Sequence, residues 1–523
     1  MTPPRTRGHA RVVVLAVALT LLLAGCTSSR SSDAGSSPSS SAATSAASTP
    51  TGDAGPAPAG LEKFYDQQLD WKPCRDGFQC ARLRVPLDYA HPGGRSIEVA
   101  LLKVPASSSS GRLGSLVFDP GGPGASGVDY VTSAAAAFGK PLLQHYDIIG
   151  IDPRGVGAST PVDCLPDDRL DEVLAGDPDP ETPAEIKTSD QLVKGLGDGC
   201  LRRSGALARH ISTVEVAKDL DVLRGALREK KLTYFGASYG TAIGSTYADR
   251  FPTKVGRMVL DGALDPTSST LELNRVQAKG FETALRAYVQ SCVDKGDCFL
   301  GSSVDQGTKR IKQFLDSVEQ KPLPAGSGRE LDLGNASYGI SYPLYDKSGW
   351  SVLSTALQRA FSGDGTVLML LADAYLHRTP QDTYKDNSFE AFYAINCLDH
   401  DDAVKSSQLK RYYPMFDKAS PTFGRTFLYS ATACRDWPVH TGRGPKRVHA
   451  TGSAPIMVVG TTRDPATPLV WAQSLAKQLD NAVLVTRDGD GHTGYHQGSS
   501  CVDDAVESYL VDGTVPKSDV SCS

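Results

Sequence analysis

A serine flanked by small residues is the first candidate for chemistry in this sequence. Ser238 stands in the pattern Gly-Ala-Ser-Tyr-Gly at residues 236–240, directly after a run of strand-forming residues and before a helical pattern. Glycines on both sides allow a sharp turn that lifts the hydroxyl out of a sheet and places it at a helix N-terminus. A serine hydroxyl is a weak nucleophile unless a base removes its proton. The sequence must therefore also supply a histidine and an acid that orients it.

His492 is the predicted base. It lies in the pattern Asp-Gly-His-Thr-Gly at residues 490–494, just after the last strand-like run. A loop flanked by glycines can bring an imidazole over the edge of a sheet. His496 is the alternative, but it lacks the glycine flank. We predict that His492 takes the proton from Ser238.

Asp464 is the predicted acid. It follows the apolar run at residues 456–459 and precedes a helical pattern, so it stands at the carboxyl end of a strand, where open α/β sheets carry their sites. Asp261, which ends the run at residues 258–260, competes for the same role. We choose Asp464 because it gives the chain order serine, aspartate, histidine that is expected for a nucleophile on such a turn.

A tetrahedral intermediate needs two N–H donors for its oxyanion. One predicted donor is the amide of Tyr239, the residue after the nucleophile. The other is expected from the Asp-Pro-Gly-Gly-Pro-Gly segment at residues 119–124, which follows a strand-like run and whose glycines let the backbone approach a ligand. Within that segment we choose Gly122 over Gly121.

Short runs rich in valine and isoleucine alternate with helical patterns through much of the chain. Runs without polar alternation are typical of parallel strands covered on both faces. The clearest helical pattern follows Ser212, which has the spacing of a capping box with Glu215, and another spans residues 243–251. The alternation predicts an α/β fold with a mostly parallel sheet and helices on both faces. The predicted strands are residues 97–104, 115–118, 146–151, 232–235, 257–260, 456–459 and 483–486.

The strand pattern is interrupted once. Residues 266–451 show the pattern of helices with long polar loops, and strand patterns and candidate chemistry resume after them. We predict a core of residues 61–265 and 452–523 that carries residues 266–451 as a mainly helical cap; the alternative is an independent domain between two linkers. The Asp-Pro-Arg-Gly turn at residues 152–155 is interpreted as architectural.

The N-terminus predicts export. Three arginines precede an apolar run at residues 12–23, which is too short to cross roughly 30 Å of hydrocarbon, so residues 1–25 are interpreted as a signal peptide. Small residues before Cys26 indicate a lipobox, with Cys26 acylated and anchoring the protein to the outer face of the cell membrane; an ordinary signal peptide cleaved nearby is the alternative. Residues 26–60, rich in serine, alanine and proline, predict a flexible tether.

Charge and cysteines restrict the partners and the compartment. Removing residues 1–25 removes three arginines and changes the net charge from −5 to −8, which argues against nucleic acid as a partner. Ten cysteines remain besides Cys26, an even number in an exported chain, so five disulfides are expected. Spacing alone does not determine the pairing. Neighbours in sequence close the shortest loops, which gives pairs 74–80, 164–200, 292–298, 397–434 and 501–522; no pattern typical of a zinc site is present.

Taken together, five motifs resemble the prolyl and tripeptidyl aminopeptidase family of α/β hydrolases, and most closely the lipobox-bearing proteases of actinobacteria. The likeness covers most of the chain from about Trp71 onward. It implies the α/β-hydrolase fold, a triad at the serine, aspartate and histidine already chosen, and peptide substrates cleaved from a free N-terminus. Proline-specific members have histidine where this chain has Pro120, so the tripeptidyl enzymes are the better model. The motifs are residues 120–124, 152–155, 236–240, 464–468 and 491–492.

The resemblance implies a site for the substrate ammonium group, which needs acids or carbonyl groups. The candidates are Asn396 and Asp399, in a segment predicted to be a loop that a Cys397–Cys434 disulfide would fix. The alternative is an acidic surface loop.

The sequence thus predicts a lipid-anchored serine peptidase that needs no cofactor. A carboxylesterase or lipase with the same triad is the first alternative. The second is a substrate-binding lipoprotein of an importer, which would need no nucleophile turn.

Overall fold

The computed structural model describes residues 54–75 and 77–523. The predicted signal peptide, Cys26 and most of the predicted tether lie outside these residues. The last part of that tether, residues 54–60, lies against the folded core: Arg224 donates a hydrogen bond of 3.0 Å to the Ala54 carbonyl, and Ala57 packs on buried apolar residues. The prediction that the tether extends to Gly60 is therefore wrong at its C-terminal end.

A ten-stranded sheet forms the centre of the described chain, with strand order β1-β2-β3-β5-β4-β6-β7-β10-β11-β12. The first three strands and β5 pair antiparallel, and every pairing from β5 to β12 is parallel. All seven predicted strands are confirmed, most of them a few residues longer than predicted. The strands are β1 Lys72–Cys74, β2 Phe78–Pro86, β3 Ser96–Val104, β4 Gly114–Asp119, β5 Tyr146–Ile151, β6 Leu232–Ala237, β7 Val255–Asp261, β8 Leu323–Pro324, β9 Glu330–Leu331, β10 Ile456–Arg463, β11 Ala482–Asp490 and β12 Val520–Cys522; β8 and β9 form a separate pair.

Helices cover both faces of this sheet. Along β4, Val117 belongs to one apolar core while Leu116 and Phe118 belong to the core on the opposite face, as expected for a strand without polar alternation. The helices are α1 Glu62–Tyr65, α2 Gly127–Tyr130, α3 Ala134–Ala137, α4 Lys140–His145, α5 Asp167–Leu174, α6 Pro183–Ser204, α7 Thr213–Ala226, α8 Gly240–Arg250, α9 Thr270–Val293, α10 Val304–Gln320, α11 Leu333–Ser341, α12 Trp350–Phe361, α13 Thr366–Leu376, α14 Ser388–Asp399, α15 Leu409–Ala419, α16 Gly424–Ser430, α17 Leu469–Gln478 and α18 Ser500–Asp512.

The helix predicted after Ser212 is confirmed as α7, but its predicted capping box does not form. The Ser212 hydroxyl donates to the Glu215 carboxylate instead of accepting from a backbone amide. The amide of Thr213, in the first turn of α7, has no partner within the helix and donates to the carboxylate of Asp399, a residue of α14. A side chain from a distant helix thus replaces the local cap.

The chain between β7 and β10 is mainly helical, from α9 to α16, although β7 and β10 are neighbours in the sheet. This helical insertion has an apolar core of its own. Two helices outside the predicted cap also contact it. Asp171 of α5 binds Arg378, and Asp190 of α6 binds Arg435. The chain between β5 and β6 therefore packs against the insertion as well as against the sheet.

Five disulfides join the predicted partners. They are Cys74–Cys80, Cys164–Cys200, Cys292–Cys298, Cys397–Cys434 and Cys501–Cys522. None of the helices in the described residues combines the length and apolar character needed to cross a bilayer.

Candidate active site

Ser238 occupies the sharp turn between β6 and α8. Its φ of 54° lies in the left-handed region, a conformation that is unfavourable for residues with a side chain and that clusters at functional sites. The Ser238 amide donates to the carbonyl of Asp261 on the neighbouring strand β7, at 2.8 Å. A Cβ on Gly236 would lie 2.3 Å from the Gly240 carbonyl oxygen, so the turn closes only with glycine at position 236. The strand, turn and helix predicted around Ser238 are all present.

Asp464 and His492 form a hydrogen-bonded pair at the same edge of the sheet. Asp464 directly follows β10 and His492 lies two residues after β11, so both stand at carboxyl ends of parallel strands. His492 Nδ1 lies 2.9 Å and 3.0 Å from the two Asp464 carboxylate oxygens. The Asp464 side chain is fully buried, whereas that of His492 is 14% exposed. This arrangement leaves Nε2 of His492 as the nitrogen that can exchange a proton with a substrate or nucleophile.

The pair lies beside the Ser238 turn. The carbonyl of Asp261 accepts the Ser238 amide, and Gly262 is the next residue. A Cβ on Gly262 would lie 3.3 Å from His492 Cε1, so the imidazole lies close to the serine turn. Within the described chain, no hydrogen bond joins the Ser238 hydroxyl to His492. Such bonds are often long in unliganded enzymes and shorten when substrate is bound.

Asp261 and His496, the alternatives for the acid and the base, make contacts elsewhere. Asp261 accepts hydrogen bonds from the amides of Gly494 and Tyr495, at 2.8 Å and 2.9 Å, and makes none to the imidazole of His492. It therefore holds the loop that follows His492. The His496 amide is bound by Asp503, and its ring lies 3.4 Å from the Ala136 carbonyl, away from the turn.

Burial and charge set the protonation of this site. Burial lowers the pKa of His492, but the charge and hydrogen bond of Asp464, together with the charge of Asp261, outweigh it and raise the pKa above 6.5. Burial raises the pKa of Asp261 to about 6, against the effect of its two amide donors. Asp464 accepts hydrogen bonds from the amides of Ala466 and Thr493, at 2.9 Å each, which hold its side chain in place beside His492.

The predicted oxyanion donors lie on two segments that touch. A Cβ on Gly121 would be 2.6 Å from the Tyr239 amide nitrogen, so the loop after β4 packs directly on the serine turn. The Gly121 amide donates to Asp119 at 2.8 Å. The amides of Gly122 and Tyr239 donate to no acceptor in the part of the chain that the structure describes. This difference favours Gly122 over Gly121 as the second donor.

Buried polar groups support this loop and the turn at residues 152–155. Asp152 accepts from the amides of Val128 and Ala158, at 3.0 Å and 2.8 Å. The guanidinium of Arg154 is fully buried and uses all of its donors, including two on Asp219 at 2.6 Å and 2.7 Å. Because every donor of Arg154 is satisfied inside the protein, these contacts support the architectural interpretation of the turn.

Two residues near the pair were not identified from the sequence. The Thr467 hydroxyl lies 3.0 Å from Asp464 and 3.2 Å from His492 Nδ1. Its position in the Asp-Pro-Ala-Thr-Pro motif was the available signal. Tyr345, from the helical insertion, accepts the His492 amide at 2.8 Å and packs its ring edge-on at 5.4 Å. No local pattern marks Tyr345, because its role depends on how the insertion folds back.

Asn396 and Asp399, the predicted amine-binding residues, lie in the last turn of α14 and not in a loop, so that part of the prediction is wrong. The Asn396 amide group donates to the carbonyl of Phe392 at 2.9 Å. Helix α14 is joined to residues beyond α16 through the disulfide of Cys397 with Cys434.

Asp399 is engaged with α7 and, through it, with the serine turn. Its carboxylate accepts from the Thr213 amide at 3.0 Å and from the Thr213 hydroxyl, which also shares a hydrogen bond with the Tyr239 hydroxyl. Burial raises the pKa of Asp399 to about 7 despite these donors. Asp399 as a residue is only partly buried, and its contact with a substrate amine stays a prediction.

Known proteins resemble this chain over most of its length. Residues 420–522 match the family model described as TAP-like protein. "Serine protease Hip1" of Mycobacterium tuberculosis is 35% identical over 480 residues, covering 87% of this chain and 91% of that protein. "Carboxylesterase B" of the same species is 35% identical over 475 residues, covering 87% and 90%. "Tripeptidyl aminopeptidase" of Streptomyces coelicolor is 30% identical over 471 residues, covering 87% and 86%.

Among solved structures, MGS-M2, an α/β hydrolase from a deep-sea metagenome library, matches with a TM-score of 0.34 and 11% identity, over 80% of this chain and 96% of that chain. That likeness is too low to support an assignment. The relatives at 30–35% identity, together with the sheet and the serine turn, identify the family. The chain belongs to the TAP-like family of α/β hydrolases.

Proposed function

We propose that this protein is an exported serine peptidase that removes short peptides from free N-termini through an acyl-enzyme. The observation that carries the proposal is the buried Asp464 bound to His492 beside the left-handed turn of Ser238. Two of the relatives at 30–35% identity are named as a serine protease and a tripeptidyl aminopeptidase, which favours peptides as substrates.

The contacts of the site suggest the role of each residue. Ser238 attacks the peptide carbonyl while His492 accepts its proton, and Asp464 stabilises the imidazolium that forms. The amides of Tyr239 and Gly122 bind the oxyanion. His492 then protonates the leaving amine, and water attacks the acyl-enzyme with His492 again as base.

Restriction to chain ends is the finer part of the proposal. The helical insertion contacts His492 through Tyr345, so substrate must enter beside or beneath it. Asn396 and Asp399 remain the candidates for the substrate ammonium group. The carboxylate of Asp399, joined to the serine turn through Thr213, supports Asp399 more strongly than Asn396.

A matched set of substrates tests this function. The set comprises a tripeptide amide with a free N-terminus, the same peptide acetylated, and a short-chain aryl ester. We expect cleavage of the free peptide and resistance of the acetylated one. Cleavage of the ester alone would favour the carboxylesterase alternative, which the relative named carboxylesterase B supports. A fluorophosphonate should label the wild type and not Ser238→Ala; labelling of both would refute Ser238 as nucleophile.

Lipid anchoring through Cys26 is part of the same proposal. It is supported by the residues before Cys26 and by an even set of ten disulfide-forming cysteines, as expected for an exported chain. Expressed in its full-length form, the protein should incorporate radiolabelled palmitate and sediment with membranes. Cys26→Ser should abolish the label; equal labelling of this variant would exclude Cys26 as the acylated residue.

A further inference from the structure

Five aromatic rings of the helical insertion form a continuous series that begins at His492. We call Tyr342, Tyr345, Tyr375, Phe389 and Phe392 the aromatic wall. Tyr345 contacts His492 edge-on, and its ring centroid lies 6.1 Å from that of Tyr375. The centroids of Tyr375 and Phe389 are 5.7 Å apart, and those of Phe389 and Phe392 are 6.4 Å apart. Tyr342 packs on Tyr375 at 5.8 Å. These separations fall in the range of interacting aromatic pairs.

The helix that carries the far end of the aromatic wall packs against the oxyanion loop. Phe389 and Phe392 stand in the first turns of α14, and the start of that helix packs on Gly124, two residues after Gly122. A Cβ on Gly124 would lie 2.3 Å from the Ser388 carbonyl oxygen and 3.2 Å from the Ala391 Cβ. One end of the wall therefore contacts the predicted base, and the helix that carries its other end packs on the loop that supplies an oxyanion donor.

The rings are accessible although they belong to a packed insertion. Phe392 and Tyr342 are 38% and 39% exposed, and the other three rings are partly exposed. Large aromatic side chains are usually buried, and an exposed apolar cluster beside a site is typical of a ligand surface. The side chains of the wall are aromatic and carry no formal charge at neutral pH, so they suit an apolar partner and not a charged one.

We infer that the aromatic wall binds an apolar side chain of the substrate next to the scissile bond. This inference rests on the proposed function, because it assumes that a peptide acyl group is transferred to Ser238. The wall runs from His492 to the helix that packs on the oxyanion loop, beside the place where the groups flanking the reacting carbonyl lie. The protein accordingly prefers peptides with phenylalanine, tyrosine or leucine at this position over peptides with alanine or aspartate.

Tripeptide p-nitroanilides that differ only in the residue before the scissile bond test the inference. Wild type should cleave the phenylalanine substrate at least about 10-fold better than the alanine substrate in kcat/KM, since filling an apolar pocket discriminates by about that factor or more. Phe392→Ala and Tyr342→Ala should each reduce this ratio several-fold while the alanine substrate is cleaved nearly as before. Leu370→Ala is the matched control, because Leu370 is 60% exposed in the same insertion but lies outside the wall.

Several outcomes would overturn the inference. Wild type could cleave the alanine or aspartate substrate as well as the phenylalanine one, or both wall variants could keep the wild-type ratio. Thermal unfolding separates a folding defect from a loss of selectivity, because both substituted rings are exposed. If no peptide is cleaved, the proposed function fails by itself. The wall is then tested with p-nitrophenyl esters of phenylalanine and alanine, for which the same ratios are expected.

Discussion

The choice between Asp464 and Asp261 as the triad acid leads to the sharpest prediction. Asp464→Asn changes one oxygen of the carboxylate to an NH2 group. The Ala466 amide, 2.9 Å from Oδ1, holds the remaining oxygen in place, so the NH2 group takes the position of Oδ2, 3.0 Å from His492 Nδ1 and 2.9 Å from the Thr493 amide. An NH2 group at this position donates to Nδ1 and favours the imidazole tautomer that carries its proton on Nε2, as the same change does in other triads. The proton moves to Nε2, and the imidazole can no longer take a proton from Ser238.

The expected loss in kcat for Asp464→Asn is about 10⁴-fold, the effect of the same change in other triads, which corresponds to about 5.5 kcal/mol in activation free energy. Asp261→Asn should have a much smaller effect. It weakens the hold on the amides of Gly494 and Tyr495 but leaves the pair of His492 and Asp464 intact. We expect a loss of about 10-fold.

Both variants are measured by steady-state hydrolysis of a peptide p-nitroanilide and by the rate of fluorophosphonate labelling. Unfolding midpoints show whether each variant is folded. Asp261→Asn provides the control for removing a buried negative charge at the edge of the sheet. If Asp464→Asn stayed within about 10-fold of wild type while Asp261→Asn lost 10³-fold or more, the assignment of the acid would be wrong.

Three further predictions concern the base, the insertion and the serine turn. Because the pKa of His492 is raised and only the neutral imidazole accepts a proton, kcat/KM should decline as pH falls, with its inflection above pH 6.5; an inflection below that value would contradict the reasoning. Replacing both Cys397 and Cys434 with serine removes a disulfide between positions 37 residues apart, and the free energy of unfolding should fall by about 4 kcal/mol in a denaturant titration. An unchanged unfolding midpoint would show that the disulfide contributes nothing to stability. Tyr239→Phe removes the hydroxyl that binds Thr213 and should lower kcat about 5-fold with little change in KM. A change in KM alone would instead indicate a direct role of this hydroxyl in substrate binding.

The parts of the fold that could be predicted depend on residues close together in sequence. The strand-forming run, the turn at Ser238 and the start of α8 are specified by fewer than twenty consecutive residues, so pattern and steric size were sufficient. The helical capping box was predicted by the same local rule and was wrong. There a carboxylate from α14 reaches the first turn of α7 and competes with the local side chain, which the sequence pattern cannot reveal.

The choice between equivalent candidates required the tertiary structure. Asp261 and Asp464 both follow buried parallel strands, and only the packing of the loop after β11 brings His492 within hydrogen-bond distance of one of them. In the same way, Gly121 and Gly122 are adjacent and alike in sequence. The contact of the Gly121 amide with Asp119 distinguishes them.

The sequence by itself therefore determined the class of fold, seven of the strands and the three residue types of the site, because periodicity, glycine turns and strand ends are local properties. The tertiary structure decided which acid pairs with the histidine, which amide is free, and how the aromatic wall is assembled. The wall combines Tyr345 with Phe389 of α14 beside His492, residues that are separated by many positions and carry no common motif. Their proximity results from burial of the insertion's apolar faces, which is a property of the whole chain.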